Sequence, residues 1–247
     1  MPGNSLGVYG GFSTHIPVPV IDLCDVGAHG DFPLSCLAVI ADAVTTPFQA
    51  CKRANLQPGD KVIVLGCAGG VGTHVTQMTK ALGAQVVIGI DIVPEKLKRA
   101  LEFGADFVIN SKNKEPRDVR QEFRTICQEN GLEAGYGWKI FEVTGTRGGQ
   151  ETALELLSFI GKLILIGFGT QKNEYSLSRL MAFDAEIIGT WGCLPEYYPV
   201  VLDMVLKRKI QIEPFVEARP MSQIAQVFDE VHRAGSPPRR IVLTPDF

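Results

Sequence analysis

The sequence predicts a doubly wound α/β fold, six parallel strands covered by helices on both faces, and three observations carry that expectation. From Lys61 onward, short runs that are apolar throughout alternate with helix-length segments, the pattern of a parallel sheet buried on both sides. The first run, Lys61-Val62-Ile63-Val64-Leu65, passes directly into Gly66-Cys67-Ala68-Gly69-Gly70-Val71-Gly72 and then into a helical stretch. A second apolar run, 85–90, ends on Asp91, roughly 20 residues beyond the glycines.

The elements follow in order. Residues 1 to about 35 are a glycine- and proline-rich lead, in which Pro17 and Pro19 exclude a central strand because each removes a ladder donor. From Leu37 to Ala54 the pattern is helical, interrupted at Pro47, and Gln57-Pro58-Gly59-Asp60 makes a turn. Strands are expected at 61–66, 85–90, 106–110, 138–143, 162–167 and 185–190. Helices are expected at 70–82, 94–103, 115–129, 149–158, 175–182, 196–208 and 222–234. Pro94 suits a first helical turn, where its missing N–H is harmless. Gly83, Gly104 and Gly161 are expected to close helices or precede strands. The chain thus divides into a lead (1–36), a connecting helix and turn (37–60), a nucleotide-binding core (61–195) and a closing section (196–247).

The glycine loop is where this pattern acquires chemistry. Gly66, Gly69, Gly70, Val71 and Gly72 are candidate phosphate contacts, because backbone without Cβ atoms can approach a pyrophosphate and the helix start offers free N–H groups. Asp91 is placed to accept the ribose hydroxyls of NAD and to repel the 2′-phosphate of NADP. The spacing is G-x-x-G-x-x-G, or Cys67-x-Gly69-x-x-Gly72, and an ordinary tight strand-to-helix turn is the alternative reading. Glu142-Val143-Thr144-Gly145 and Ile166-Gly167-Phe168-Gly169 follow the fourth and fifth strands, at the sheet edge where ligands bind in such folds; simple turn chemistry accounts for them equally well.

Composition narrows the classes. The chain has 247 residues, 45% apolar and 21% charged, with net charge −3, so nothing marks a nucleic-acid or acidic-membrane partner. No uninterrupted apolar run reaches about 18 residues, and Met1-Pro2-Gly3-Asn4-Ser5 lacks the regions of a signal peptide, so a cytoplasmic location is expected. The six cysteines form no C-x-x-C and are expected as reduced thiols.

Several blocks together resemble the medium-chain dehydrogenase/reductase family, the zinc-type alcohol dehydrogenases. They are Gly10-Gly11-Phe12 leading to Val18-Pro19, Ile40 through Ala50, Gln57-Pro58-Gly59-Asp60, Phe103-Gly104-Ala105-Asp106 and Arg240-Ile241-Val242-Leu243-Thr244. The resemblance implies that 1–36 is a remnant of a GroES-like catalytic domain beside a Rossmann core. It implies NAD as cofactor, zinc in the complete enzyme, and a nicotinamide held through backbone at Val143, Thr144, Ile166 and Phe168. By the same resemblance Arg240 lies near the cofactor phosphates. Asp42 falls on the family's last zinc-ligand position, with a helix N-terminal cap as its other reading. The resemblance further implies that most zinc ligands and the proton relay belong to a domain of about a hundred residues ahead of this segment. The chain is therefore expected to be incomplete by itself, and no catalytic residue is assigned.

Within the family, Leu180-Met181-Ala182-Phe183 and Gly189 through Pro199 look like members that oxidise an alicyclic alcohol carried on a CoA thioester in anaerobic aromatic degradation. Pairing of the last sheet strand into a homodimer or larger assembly is also implied. His15 is expected as a surface or packing residue, with a place near the active cleft as its other reading; His74 is expected to cap or pack, with contact to the cofactor as its other reading; and Trp191 and Cys193 are expected to serve core or interface packing. Three functions stay open: an alcohol dehydrogenase, favoured by Asp42; a zinc-free quinone or enoyl reductase, favoured by the glycine spacing; and a non-catalytic NAD-binding remnant.

Overall fold

The computed structural model describes residues 10–234 and 239–247; the opening Met1–Ser5 segment lies outside them. Two compact units divide the chain, Asp42–Cys193 and a second made of the residues up to Ala41 together with Leu194–Phe247.

The larger unit contains the expected sheet. Its strands are β1 (Lys61–Leu65), β2 (Val86–Asp91), β3 (Phe107–Asn110), β4 (Trp138–Glu142), β5 (Lys162–Leu165) and β6 (Glu186–Gly189). All pairings are parallel and the order is β3-β2-β1-β4-β5-β6, so the chain reverses direction across the sheet between β1 and β4. β1 and β4 are buried almost throughout, as strands covered on both faces must be. On one face Ile63, Leu65, Ile88, Ile90, Ile140 and Leu163 join Phe123, Trp138 and Leu156 in a single cluster. The Phe123 and Trp138 rings meet edge to face at 4.9 Å. The connecting helices are α3 (Gly72–Ala81), α4 (Pro94–Glu102), α5 (Pro116–Glu129), α6 (Arg147–Leu156) and α7 (Leu177–Phe183).

The helical stretch ahead of β1 is less regular than its pattern suggests. A first helix, α1 (Leu34–Leu37), is followed by a π-helical turn, Ile40–Val44, and by α2 (Thr45–Arg53). Pro47 does not interrupt it. It lies in the first turn of α2, where a missing N–H leaves no intrahelical bond unmade. Leu34–Arg53 as a whole, 20 residues with mean hydropathy 1.4, is long and apolar enough to cross a membrane, although Asp42 breaks its apolar run. Two thirds of that window (67%) is buried in the protein, the state of a core helix.

Two glycine caps are borne out: Gly83 (φ 97°) and Gly104 (φ 116°) take left-handed conformations behind α3 and α4. Gly161 does not. The left-handed residue there is Ile160 (φ 56°), a strained choice for a β-branched side chain, while α6 ends in extended backbone at Leu157. Strand β6 is an edge of the sheet, and its Ile187 is 36% exposed.

The smaller unit holds α8 (Tyr198–Leu206), β7 (Val216–Pro220), α9 (Ile224–Ala234) and β8 (Arg240–Thr244). β7 and β8 pair in parallel, Val216 opposite Arg240, and α1 packs on both. β7 had no counterpart among the expected strands, because its Val-Glu-Ala-Arg-Pro sequence carries two charges and a proline. In the lead, the region of Pro17 and Pro19 is indeed without a strand and runs into a 3₁₀ turn at Val20–Asp22.

Candidate functional site

The site begins at Gly66, the first residue beyond β1. Its φ of 79° turns the chain sharply, and its N–H donates to the Ile90 carbonyl (2.8 Å), which ties the turn to the end of β2. A Cβ here would stand 2.9 Å from Thr144 Cγ2, so the glycine loop and the turn after β4 touch. Gly66, rather than Cys67, thus fills the first-glycine position. Cys67 is fully buried, and a side chain at Gly89 would strike its Sγ at 2.8 Å. Burial first, and then the nearby Asp91 charge, push its thiol far up from the ordinary range, so it packs and does not react.

The other glycines have separate roles. A Cβ on Gly72 would lie 1.9 Å from the Gly66 carbonyl oxygen, so this position is fixed by helix-to-strand packing inside the protein. A Cβ on Gly69 would meet only that same oxygen, at an ordinary 3.4 Å, so nothing within the fold demands glycine there. Gly70 is exposed, and its carbonyl accepts from the His74 ring Nδ1 at 3.0 Å. His74 is 2% exposed, in keeping with a packing role on the loop. Helix α3 opens at Gly72 with Val71 in the N-cap position and no side-chain cap. The N–H of Thr73 donates to the Gly69 carbonyl and those of His74 and Val75 to the Val71 carbonyl, each at 3.0 Å, so an anion at this helix start would be met by the loop amides ahead of Thr73 and by the helix dipole.

Asp91 closes the site on one side. Its Oδ2 accepts from the Ala68 N–H (3.0 Å), and its Oδ1 from the N–H groups of Ile92 (2.8 Å) and Val93 (3.2 Å). The carboxylate that would select the ribose thus also holds the glycine loop in shape, a second role the sequence did not disclose. A loop that leaves space at Gly69 ahead of a helix start, and a carboxylate at the tip of the next strand, fit the phosphates and ribose of a dinucleotide.

The turns after β4 and β5 form the other side. Gly145 (φ 62°) and Gly167 cross so closely that a Cβ on Gly167 would lie 2.1 Å from the Gly145 nitrogen. A Cβ on Gly145 would lie 2.4 Å from the Phe168 oxygen. The Gln171 side-chain amide donates to the Gly145 carbonyl and secures the crossing. The amides of Val143, Thr144 and Ile166 are already engaged, with Leu65 O (3.0 Å), Glu142 Oε1 (2.7 Å) and Glu142 O (2.9 Å) respectively. Contacts through these three residues must therefore use their carbonyls, which suits a donor such as a carboxamide NH₂. Phe168 projects its ring outward, 77% exposed, edge-on to the Trp191 ring, also exposed, at 6.3 Å.

Glu142 is the residue that sequence reasoning undervalued. In the sequence its block fits the ligand-binding sheet edge and simple turn chemistry equally well; Glu142 itself is fully buried at the end of β4 with its carboxylate facing the Val143–Gly145 turn. Burial raises its pKa, opposed by donation from Thr144 and Gly145. The sequence signal was an acidic residue closing a largely apolar strand, one residue ahead of Thr144-Gly145-Thr146.

Asp42 is exposed in the π-helical turn, where its Oδ1 accepts from Thr46 Oγ1 at 3.4 Å. It is not the cap of the following helix, whose N-cap is Val44 without a side-chain bond. Among the described residues no three His, Cys, Asp or Glu side chains gather to hold a metal, so the donors of this chain do not fit a zinc site. Arg240 stands on β8, in the other compact unit. His15 is exposed and touches Thr14 Oγ1 at 3.2 Å, and Cys193 is buried.

The strand order, the loop at the switch point and the carboxylate at the tip of β2 define a Rossmann-type nucleotide-binding architecture. Comparison with known proteins agrees. The model of a family described as zinc-binding dehydrogenase matches residues 70–207. Sorbitol dehydrogenase of Bos taurus is 25% identical over 191 residues, 77% of this chain and 51% of that protein. An NAD-dependent alcohol dehydrogenase of Sulfolobus acidocaldarius is 27% identical over 211 residues, 83% of this chain and 56% of that one. Among solved structures, galactitol-1-phosphate dehydrogenase from Escherichia coli superposes with a TM-score of 0.75 at 25% identity, covering 87% of this chain and 62% of that one. The chain belongs to the zinc-binding dehydrogenase family, the zinc-type medium-chain dehydrogenases. It spans about half the length of the curated relatives it matches.

Proposed function

We propose that this chain provides the NAD-binding half of a dehydrogenase that interconverts a secondary alcohol and a ketone. One observation carries the reading: a glycine loop with space at Gly69 leaves the central strand at the switch point, facing Asp91 on the neighbouring strand. Bound there, the nicotinamide supplies the hydride acceptor or donor. Gly66, Gly69, Gly70, Val71 and Gly72 and the start of α3 hold the phosphates, while Asp91 accepts the ribose hydroxyls and disfavours NADP. Carbonyls of Val143, Thr144 and Ile166, with the Phe168 backbone, orient the carboxamide. Arg240 as a phosphate contact rests on the sequence resemblance alone, as does Asp42 as a zinc ligand, and no step is derived through zinc.

The finer substrate reading is an alicyclic alcohol on a CoA thioester, of the 6-hydroxycyclohex-1-ene-1-carbonyl-CoA kind, supported by the blocks around Leu180 and Trp191. Pairing of two copies along β6 is supported by its outward edge and by the exposure of Leu177, Met181 and Trp191 (75%, 79% and 69%). A cytoplasmic setting is supported by six cysteines that form no disulfide. The spacing of the glycines favours a zinc-independent quinone or enoyl reductase as the second reading. Incubating the chain with NAD, zinc and the alicyclic CoA alcohol, and separately with NADH and a quinone, tests these readings. NADH binding without alcohol turnover by this chain alone is expected. Robust alcohol oxidation by the isolated chain overturns the half-enzyme reading, and quinone reduction favours the alternative.

A further inference from the structure

Beneath the turn that would face the nicotinamide lies a continuous hydrogen-bonded chain. Glu142 Oε1 accepts from the Thr144 hydroxyl and N–H, and the Gly145 N–H reaches both carboxylate oxygens at 3.2 and 3.3 Å. Thr144 Oγ1 lies 2.9 Å from Thr146 Oγ1 and accepts from the Thr146 N–H at 3.0 Å. Thr146, the N-cap of α6, is exposed and accepts from the Gly149 N–H at 3.1 Å. A buried carboxyl is thus linked through two hydroxyls to the surface.

This chain is complete in either direction. With Glu142 ionised, Thr146 donates to Thr144, Thr144 donates to Glu142, and every lone pair on Thr144 Oγ1 is used. With Glu142 protonated, its own O–H donates to Thr144, Thr144 to Thr146, and Thr146 to solvent, again with no donor wasted. The space it needs is reserved by Gly149, where a Cβ would lie 2.0 Å from Thr144 Oγ1 and 3.0 Å from Glu142 Oε1. Glycine inside a helix is less favourable than alanine, so α6 is weakened where the hydroxyl chain passes.

We propose that Glu142 is a positioning residue whose proton is coupled to the charge of the nicotinamide, through the Glu142–Thr144–Thr146 chain and the Val143–Gly145 turn it supports. The proposal rests on the NAD-binding reading above. Oxidised nicotinamide carries a positive charge that reduced nicotinamide lacks, and a cation near a carboxyl favours its ionised form. On binding NAD, the Glu142 O–H bond breaks as a bond to Thr144 Oγ1 forms; the Thr144 proton passes to Thr146, and the Thr146 proton to water. The carboxylate keeps the electron pair, and the buffer gains the proton. On binding NADH no proton leaves.

The neighbours of Glu142 leave it as the titrating group. Its partners across the sheet are Leu65 and Leu165. On α6, Arg147 and Glu151 pair with each other, and Glu155 pairs with Arg120 and Arg179. The loop after β5 carries Lys172 and Glu174, both exposed. Burial raises its pKa and the donors of Thr144 and Gly145 lower it, with no charged side chain among the causes.

Calorimetric titration of the full chain with NAD and with NADH, in buffers of different ionisation enthalpy and across pH, tests this. Proton release is expected for NAD only, with NAD affinity rising tenfold or more as pH increases through the Glu142 titration while NADH affinity stays level. Glu142→Gln, checked for native melting, should remove both the release and the pH dependence. Thr144→Val deletes a donor to the carboxylate, so it should move the midpoint to higher pH, which a purely structural role would not do. If both cofactors bind with a pH-independent ratio, or if Glu142→Gln keeps the release, the proposal is wrong while the cofactor reading stands. If neither cofactor binds, the cofactor reading itself fails.

Discussion

Gly69 and Gly72 lie three residues apart in one loop, yet the structure separates what each is for. At Gly72 a methyl group would stand 1.9 Å from the Gly66 oxygen, 2.7 Å from its carbon and 3.1 Å from Cys67 Cα, all backbone. The loop would have to retreat by about 1 Å, and such overpacking costs roughly 1–3 kcal/mol. For a chain of this size that corresponds to a melting point lower by about 2–12 °C. At Gly69 the same methyl meets one atom at 3.4 Å and needs no unusual φ, so stability should change by less than about 0.5 kcal/mol. A phosphate lying against the loop would nevertheless lose its place. NADH affinity of Gly69→Ala should therefore fall tenfold or more, about 1.4 kcal/mol. Thermal melts and NADH fluorescence titrations of both variants read the two effects apart. A destabilised Gly69→Ala, or one that binds NADH as the parent does, refutes the assignment; so does a Gly72→Ala that melts unchanged.

Three further outcomes follow from the same geometry. Lys139 is buried on β4 and bonds the Asp60 carboxylate and the Asn55 carbonyl; because Asp60 keeps partial access to water, Lys139→Met should cost about 3 kcal/mol, the lower end for breaking such a pair, read by urea unfolding. Glu142 has a raised folded pKa, so its contribution to stability is complete below the unfolded carboxyl pKa and is lost as pH rises through the folded one; Glu142→Gln should remove that decline from a stability-against-pH curve, and an unchanged slope would contradict it. Of the six thiols, Cys24 and Cys36 are partly exposed and the other four buried, with Cys127 and Cys193 pushed up to about 11 by burial, so native-state alkylation should stop at two groups per chain.

Much of the larger unit could be read from the chain because its strands are apolar on both faces and its helices begin and end at Pro and Gly. All six strands and their parallel arrangement are found as expected, with ends differing by one or two residues. β7 could not be read, since a short charged strand has no period to detect and exists only by pairing with β8. Ile160 was equally hidden: its left-handed backbone is imposed by the chain around it, with its N–H bonded to Phe183 O at 2.8 Å, and no propensity announces it. At the site, glycine spacing located the loop but could not divide its roles, because Gly72 serves packing and Gly69 leaves open space. Glu142 was invisible as a site residue because burial beside two threonines depends on how three loops cross. The substrate blocks around Leu180 and Trp191 carry no geometry that selects one alcohol.

The central claim is that the loop from Gly66 to Gly72, with Asp91, binds NAD in preference to NADP. Titrating the full chain with NADH and with NADPH, followed by cofactor fluorescence, tests it directly. The account predicts saturable binding of NADH at one site per chain, weaker binding of NADPH, and a narrowing of that difference in Asp91→Ser. No saturable NADH binding, or NADPH bound as tightly as NADH by the parent chain, would contradict it.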